Sequence, residues 1–172
     1  MTGGYKRYYR NDITLDRVRK LIDYDPETGE FTRKATTSKK IRPGGKAGGI
    51  NVNGYKVVSL DGRVHLAHRI AWLVSHERWP EHDLDHINGD RSDCRLRNLR
   101  EATPYENLWN RTLQRNNKSG HKNVSWSKPV QKWEVRLRRN GRQIIIGYFD
   151  DLEEAARMAT EARLKYHGDF AR

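Results

Sequence analysis

The 172-residue chain carries 34 Lys and Arg against 22 Asp and Glu, a formal charge of +12, and charge that lopsided argues for a polyanionic partner. With 35% hydrophobic and 33% charged residues, any core is modest and split, over one or two domains. A single cysteine, Cys94, excludes a disulfide framework and a cysteine-rich zinc knuckle, and the absence of a long apolar run excludes a membrane-spanning helix.

In chain order, residues 13–22 place apolar side chains at 13, 15, 18, 21 and 22. That is helical spacing, with Thr14 or Asp12 available as the cap. Asp25-Pro26-Glu27-Thr28-Gly29 is turn chemistry, followed by a short strand over Glu30–Thr32. Residues 35–50 are Gly-rich and basic, a loop that either tracks a phosphate backbone or simply connects. Tyr55–Leu60 and Val64–Ala67 flank Asp61-Gly62, a hairpin signal. His68–His76 reads as a short buried helix that Pro80 stops. Leu84–Ile87 is a strand entering an Asn88-Gly89-Asp90 turn. Thr103 then caps, and Pro104 opens, a helix running to about Leu113, giving the order strand, loop, strand, helix. Residues 114–121 read as a polar linker. Beyond it Lys122–Ser127, Lys132–Arg138 and Arg142–Phe149 form three strands, with Arg139-Asn140-Gly141 as the second turn. Asp150 caps a helix from Leu152 to Tyr166.

The residues with chemistry are Asp85-His86, Asn98 and Asn107, the last three spaced twelve and nine apart. Hydrolysing a phosphodiester needs an activated water, a cation on the developing charge and a stabilised leaving O3′; a metal ion covers the last two. Magnesium takes few protein ligands and prefers oxygen. Asp85 and Asn107 suit it, one ion per site (Mg²⁺ or Mn²⁺), with the scissile phosphate completing the shell. His86 is the expected general base, since a neutral imidazole suits that role near pH 7. Asn98 is expected to hold the His86 loop or ring rather than touch metal. Strand alternation sends Asp85 and His86 to opposite sides, so a twist or bulge is needed for both to edge one site. His68-Arg69 reads either as a pair beside the site, with Arg69 neutralising phosphate, or as a core histidine and a surface arginine. His65, His76 and His82 read as structural or surface residues.

Residues 80–110 (PEHDLDHINGDRSDCRLRNLREATPYENLWN) resemble the HNH nuclease motif in its ββα-metal form, found in phage and intron homing endonucleases. Upstream, DYDPETGEF and AHRIAW are similar to the N-terminal halves of the phage enzymes. The resemblance implies His86 as general base, Asp85 and Asn107 as metal ligands and Asn98 as the central structural asparagine. Many relatives read Asp-Asn-Arg where this chain has Asp93-Cys94-Arg95, which makes Cys94 a small buried substitute in the loop.

From Lys118 to Arg142 there are eight Lys and Arg against one acid, Glu134. Period two turns Val135 and Leu137 inward, with Ile144 and Ile146 on the same face, and Glu134, Arg136 and Arg138 outward. Arg142 and Gln143 stand at the entry of the third strand. Outward arginines and a glutamine can pair with guanine or adenine edges in a major groove, while Lys122, Lys128 and Lys132 would meet phosphates. Trp126 and Trp133 read as packing residues. Residues 120–172 resemble the Apetala-type DNA-binding domain of plant ethylene-response factors, through Lys132-Trp133, Gly147-Tyr148-Phe149-Asp150, Glu153-Glu154-Ala155-Ala156 and His167-Gly168. That resemblance implies a sheet lying in the major groove, with Arg136 and Arg138 on DNA.

The expected fold class is α+β: a helix and hairpin module, a ββα-metal centre, then a three-stranded antiparallel sheet on one helix. The expected domains are residues 1–52 (DNA-contacting), 53–115 (nuclease, core 83–113), 116–121 (linker) and 122–172 (DNA-binding). The expected activity is metal-dependent nicking of double-stranded DNA by a homing-type endonuclease. Its free form is expected to be a monomer, with no membrane partner. No apolar h-region opens the chain, so it is expected inside the host cell, in cytoplasm or nucleoid. A non-catalytic DNA-binding regulator and a structure-selective nuclease are the competing readings.

Overall fold

A computed structural model describes residues 11–35, 42–111, 113–139 and 141–171. Asn140 of the expected turn, part of the basic loop and the first ten residues lie outside these. The chain divides into two compact units, Met1–Glu101 and Ala102–Arg172, and the fold class is α+β as expected.

The first unit opens with α1 (Leu15–Leu21), where Thr14 settles the choice of cap: its hydroxyl accepts from Arg17 N at 3.3 Å. The apolar run continues past the helix, but Ile22 is already extended. It starts β1 (Ile22–Asp25), which pairs antiparallel with β2 (Glu30–Arg33). Helical periodicity hid β1, because its buried residues Ile22 and Tyr24 continue the same apolar face. The turn between them, Asp25 to Gly29, is held by the Asp25 carboxylate accepting from Glu27 N at 2.9 Å. Gly29 sits at φ +71°, and a Cβ there would lie 2.6 Å from Arg95 N. Only glycine lets this turn close on the loop that precedes Asn98.

A second sheet has the order β3 (Gly49–Ile50), β4 (Lys56–Leu60), β5 (Arg63–Leu66). Asp61 and Gly62 both take positive φ between β4 and β5, the expected two-residue turn. Then α2 (Ala67–His76) follows at once, with Ala67, Ile70, Ala71 and Leu73 buried. It ends at Glu77 in the left-handed region, so the stop comes ahead of Pro80. The core joins Val18, Leu21, Phe31, Val58, Leu60, Ile70, Leu84, Cys94 and Leu99. Cys94 is 1% exposed, the small buried residue expected, and its carbonyl accepts from the Tyr24 hydroxyl at 2.7 Å. The first hairpin thereby braces the loop before Asn98.

β6 (Asp83–His86) pairs with β7 (Leu99–Ala102). The helix after it, α3 (Pro104–Trp109), begins in a capping box: Thr103 Oγ accepts from Glu106 N while the Glu106 carboxylate accepts from Thr103 N. It ends at Trp109, short of Leu113. In the second unit the Trp109 ring stacks on His167, centroids 4.4 Å apart, and its carbonyl accepts from Lys122 Nζ. These contacts group α3 with the C-terminal sheet.

That sheet has the order β10 (Arg142–Phe149), β9 (Lys132–Arg139), β8 (Val124–Ser127), covered by α4 (Leu152–His167). Val124, Val135, Ala155 and Ala159 form its core, with Trp133, Ile146 and Phe149 packed against it. The α4 cap is Asp151, whose carboxylate accepts from Glu154 N at 2.7 Å, rather than Asp150. Asp150 instead pairs with Lys132 at 2.9 Å. Trp126 meets Trp133 edge to face at 5.1 Å, a packing contact. A bulge between Ile145 and Gly147 shifts the β10 register.

Candidate nuclease centre

Leu84, Asp85 and His86 are all buried on β6, so both sides of this short strand are covered. The His86 ring, 4% exposed, lies edge-on to His68 of α2 at 4.9 Å between centroids. The Tyr55 ring stands 5.6 Å from His68 and 6.1 Å from His86. Outside Tyr55, the Arg91 guanidinium stacks over its ring at 4.8 Å. Burial pushes the His68 imidazole down to about 3, with the His86 and Arg69 charges adding to it. Burial also holds His86 below its ordinary value, while Asp85, Asp90 and Asp93 pull it back up. A histidine kept neutral in this way can accept a proton.

Asn98 ends the 3-10 turn before β7 and staples the loop that follows His86. Its Oδ1 accepts from Asn88 N at 2.9 Å, its Nδ2 donates to Asp93 O at 3.0 Å, and its carbonyl accepts from Ile87 N at 2.9 Å. Inside the loop Asp90 accepts from Ser92. The Arg95 guanidinium holds the Asp93 carboxyl down at about 2.

The Asp85 carboxylate faces a cation that sequence reasoning did not provide. Arg100 of β7 donates from Nε at 3.0 Å and from Nη2 at 2.8 Å, both to Oδ2. Arg100 was within reach of a cross-strand argument, because a charged residue on the partner strand is the usual neighbour of a strand carboxylate. Tyr55 and Arg91 carried no such signal.

The other expected site residues are placed as follows. Asn107 lies on α3, half-buried, in the second unit. Arg69 is 5% exposed, with Nη2 donating to Asn11 Oδ1 at 3.2 Å, so the surface-arginine alternative falls. His65 is buried and His76 stacks on Trp72 at 3.9 Å. On the C-terminal sheet Lys128, Arg136, Arg138, Arg142 and Gln143 are exposed. Lys122 and Lys132 are engaged by Trp109 O and Asp150. Glu134 is 5% exposed despite its outward position, because Arg136 Nε lies 2.5 Å from its carboxylate. Arg136 Nη1 also donates to Gln143 Oε1 at 3.3 Å.

Among the described residues no group of three or more His, Cys, Asp or Glu forms a metal cluster. Asp85 still offers a hard divalent cation a buried oxygen donor, although Arg100 now engages it, and magnesium needs few protein ligands.

A family profile described as HNH endonuclease matches residues 65–108, which span β5 through most of α3. The chain is also similar to Protein 3.8 of Escherichia phage T7, 39% identical over 89 residues, covering 52% of this chain and 73% of that protein. The chain belongs to the HNH endonuclease family. No solved structure matches it. As an HNH endonuclease it is a nuclease with DNA as the substrate its family implies, and a divalent metal is the family's general requirement. Among the described residues no helix is long and apolar enough to cross a membrane.

Proposed function

We propose that this HNH endonuclease is of the homing type and nicks one strand of double-stranded DNA. In this reading His86 takes a proton from the attacking water, and Asp85 and Asn107 hold one Mg²⁺ or Mn²⁺. Asn98 keeps the His86 loop in place. A divalent cation held there would supply the charge that stabilises the phosphorane and the leaving 3′ oxygen, giving 5′-phosphate and 3′-hydroxyl ends. The supporting observation is the His86 ring itself: buried at 4%, kept below its ordinary pKa, and set edge-on to His68 beside Asp85. A general base needs that combination of neutrality and fixed direction.

Target recognition falls to the C-terminal sheet in this proposal. Three antiparallel strands on one helix, with Arg136, Arg138 and Gln143 exposed, agree with an Apetala-type module that reads base edges in the major groove. Lys128 and Arg142 would meet phosphates. Lys122 and Lys132 would do so only by giving up Trp109 O and Asp150.

Supercoiled plasmid with Mg²⁺ tests the proposal. Wild type should relax it to the open circle. Asp85→Ala, His86→Ala and Asn107→Ala should each cut about 10²–10⁴-fold more slowly while binding DNA as tightly as wild type. A wild type that binds but never nicks would make the chain a DNA-binding regulator with a silent centre. Faster cutting of branched than of linear duplex would make it a structure-selective nuclease.

A further inference from the structure

The Asp85 side chain is 9% exposed and that of Arg100 17%. A carboxylate so deep needs a partner charge, since an uncompensated buried ion is strongly destabilising. Arg100 provides it from the neighbouring strand through Nε at 3.0 Å and Nη2 at 2.8 Å. Both of these bonds end on one oxygen, Oδ2. A divalent ion arriving at the same carboxylate would meet a unit positive charge within hydrogen-bond distance of its ligand, and like charges that close repel strongly in a low-dielectric setting.

We infer that Arg100 is a displaceable counter-ion: it holds the Asp85 carboxylate when no metal is bound, and metal uptake requires it to leave. The inference rests on the reading of Asp85 as a metal ligand. Arg100 is then a positioning residue that sets how tightly the centre holds its ion. The wild-type affinity is lower than the bare carboxylate would give, by the fraction of molecules in which Arg100 has already let go. The freed guanidinium is a planar donor fork suited to phosphate oxygens, so DNA is the anion best fitted to receive it.

Mn²⁺ binding, followed by the electron paramagnetic resonance signal of the free ion, tests this without any cleavage. Arg100→Gln should bind Mn²⁺ about tenfold or more tightly than wild type, and Asp85→Asn should abolish binding in both backgrounds. A residue that only supported the fold would do the reverse, since its loss would loosen the site and weaken binding. Unchanged or weaker Mn²⁺ binding by a folded Arg100→Gln overturns the inference and leaves Asp85 as a ligand. Binding that survives Asp85→Asn, or no binding by any of the proteins, overturns the ligand reading as well. Wild type gives an independent check by nuclear magnetic resonance. The Arg100 Nε–H resonance should shift as Mg²⁺ saturates the protein, and a resonance that stays put at saturation overturns the inference even if Arg100→Gln does not fold.

Discussion

The centre around His86 and the outward face of the C-terminal sheet handle their polar groups in opposite ways. At the first, Asp85, His86, His68 and Asn98 are each less than a tenth exposed and are held by named partners. At the second, Arg136, Arg138, Arg142 and Gln143 stand in solvent. The general base proposed at His86 would gain from being fixed and dry. Side chains that must reach into a groove gain from being accessible. Yet the sheet is not uniformly loose: Arg136 is braced by the buried Glu134 carboxylate and by Gln143. The difference teaches that exposure and rigidity are set separately, residue by residue.

The largest effect that would break this contrast concerns His68. Its ring binds a proton in the unfolded chain near pH 6.5, but in the native chain only at about 3, because burial disfavours the charged form. The stability it confers is complete above about pH 6.5 and is lost as pH falls below that, at about 1.4 kcal/mol per pH unit. His68→Phe keeps an aromatic ring and removes the proton site. Urea unfolding from pH 7 to pH 4.5 should therefore show the wild-type curve falling more steeply than the His68→Phe curve by about that slope. Parallel curves would mean that His68 is hydrated and titrates freely, and that the centre is not dry.

An effect of similar size concerns Asn98. Truncation to Ala strands Asn88 N–H and Asp93 C=O, both bonded by the Asn98 amide, at a cost of about 2–4 kcal/mol for two unmade hydrogen bonds. Denaturant titration of Asn98→Ala reads the loss directly. Asn98→Asp keeps the acceptor for Asn88 but loses the donor to Asp93, and it adds a negative charge beside Asp93, so it should rescue little. Stability equal to wild type in Asn98→Ala would show that the loop holds itself through Asp90 and Asp93 alone.

The placement of Asn98, His86 and Asp85 on a strand, a turn and the approach to a return strand was legible in the sequence because it depends on local order, within the twenty residues from Asp83 to Ala102. The hairpin at Asp61-Gly62 and the Thr103-Pro104 helix start were legible for the same reason, since their chemistry is written in adjacent residues. Tyr55 and Arg91 were not, because their places beside His86 are set by packing that no spacing encodes; Arg100 could be reached only by working out which residue of β7 lies across from Asp85. β1 was lost where a helical apolar face ran on into a strand. The choice of Asp151 over its neighbour as the α4 cap was settled by Lys132, eighteen residues upstream of Asp150.

The smallest effect sharpens the contrast within the sheet. Arg136 and Arg138 share the exposed side of β9, but Arg136 is held between Glu134 and Gln143 while Arg138 stands across from Gln143 in the ladder. A braced guanidinium loses less freedom on binding and presents a fixed fork, so it is the better reader of a base edge. Arg136→Ala should relax preference at one base position by about 1–3 kcal/mol in competition against a randomised duplex library. Arg138→Ala should weaken all sequences more evenly and lower the salt dependence by about one phosphate contact. Glu134→Gln separates bracing from contact: it leaves the Arg136 fork in place but loosens it, and should move preference in the direction of Arg136→Ala without reaching it. If Arg136→Ala and Arg138→Ala change every sequence alike, both arginines meet phosphates and the sheet sets register rather than sequence.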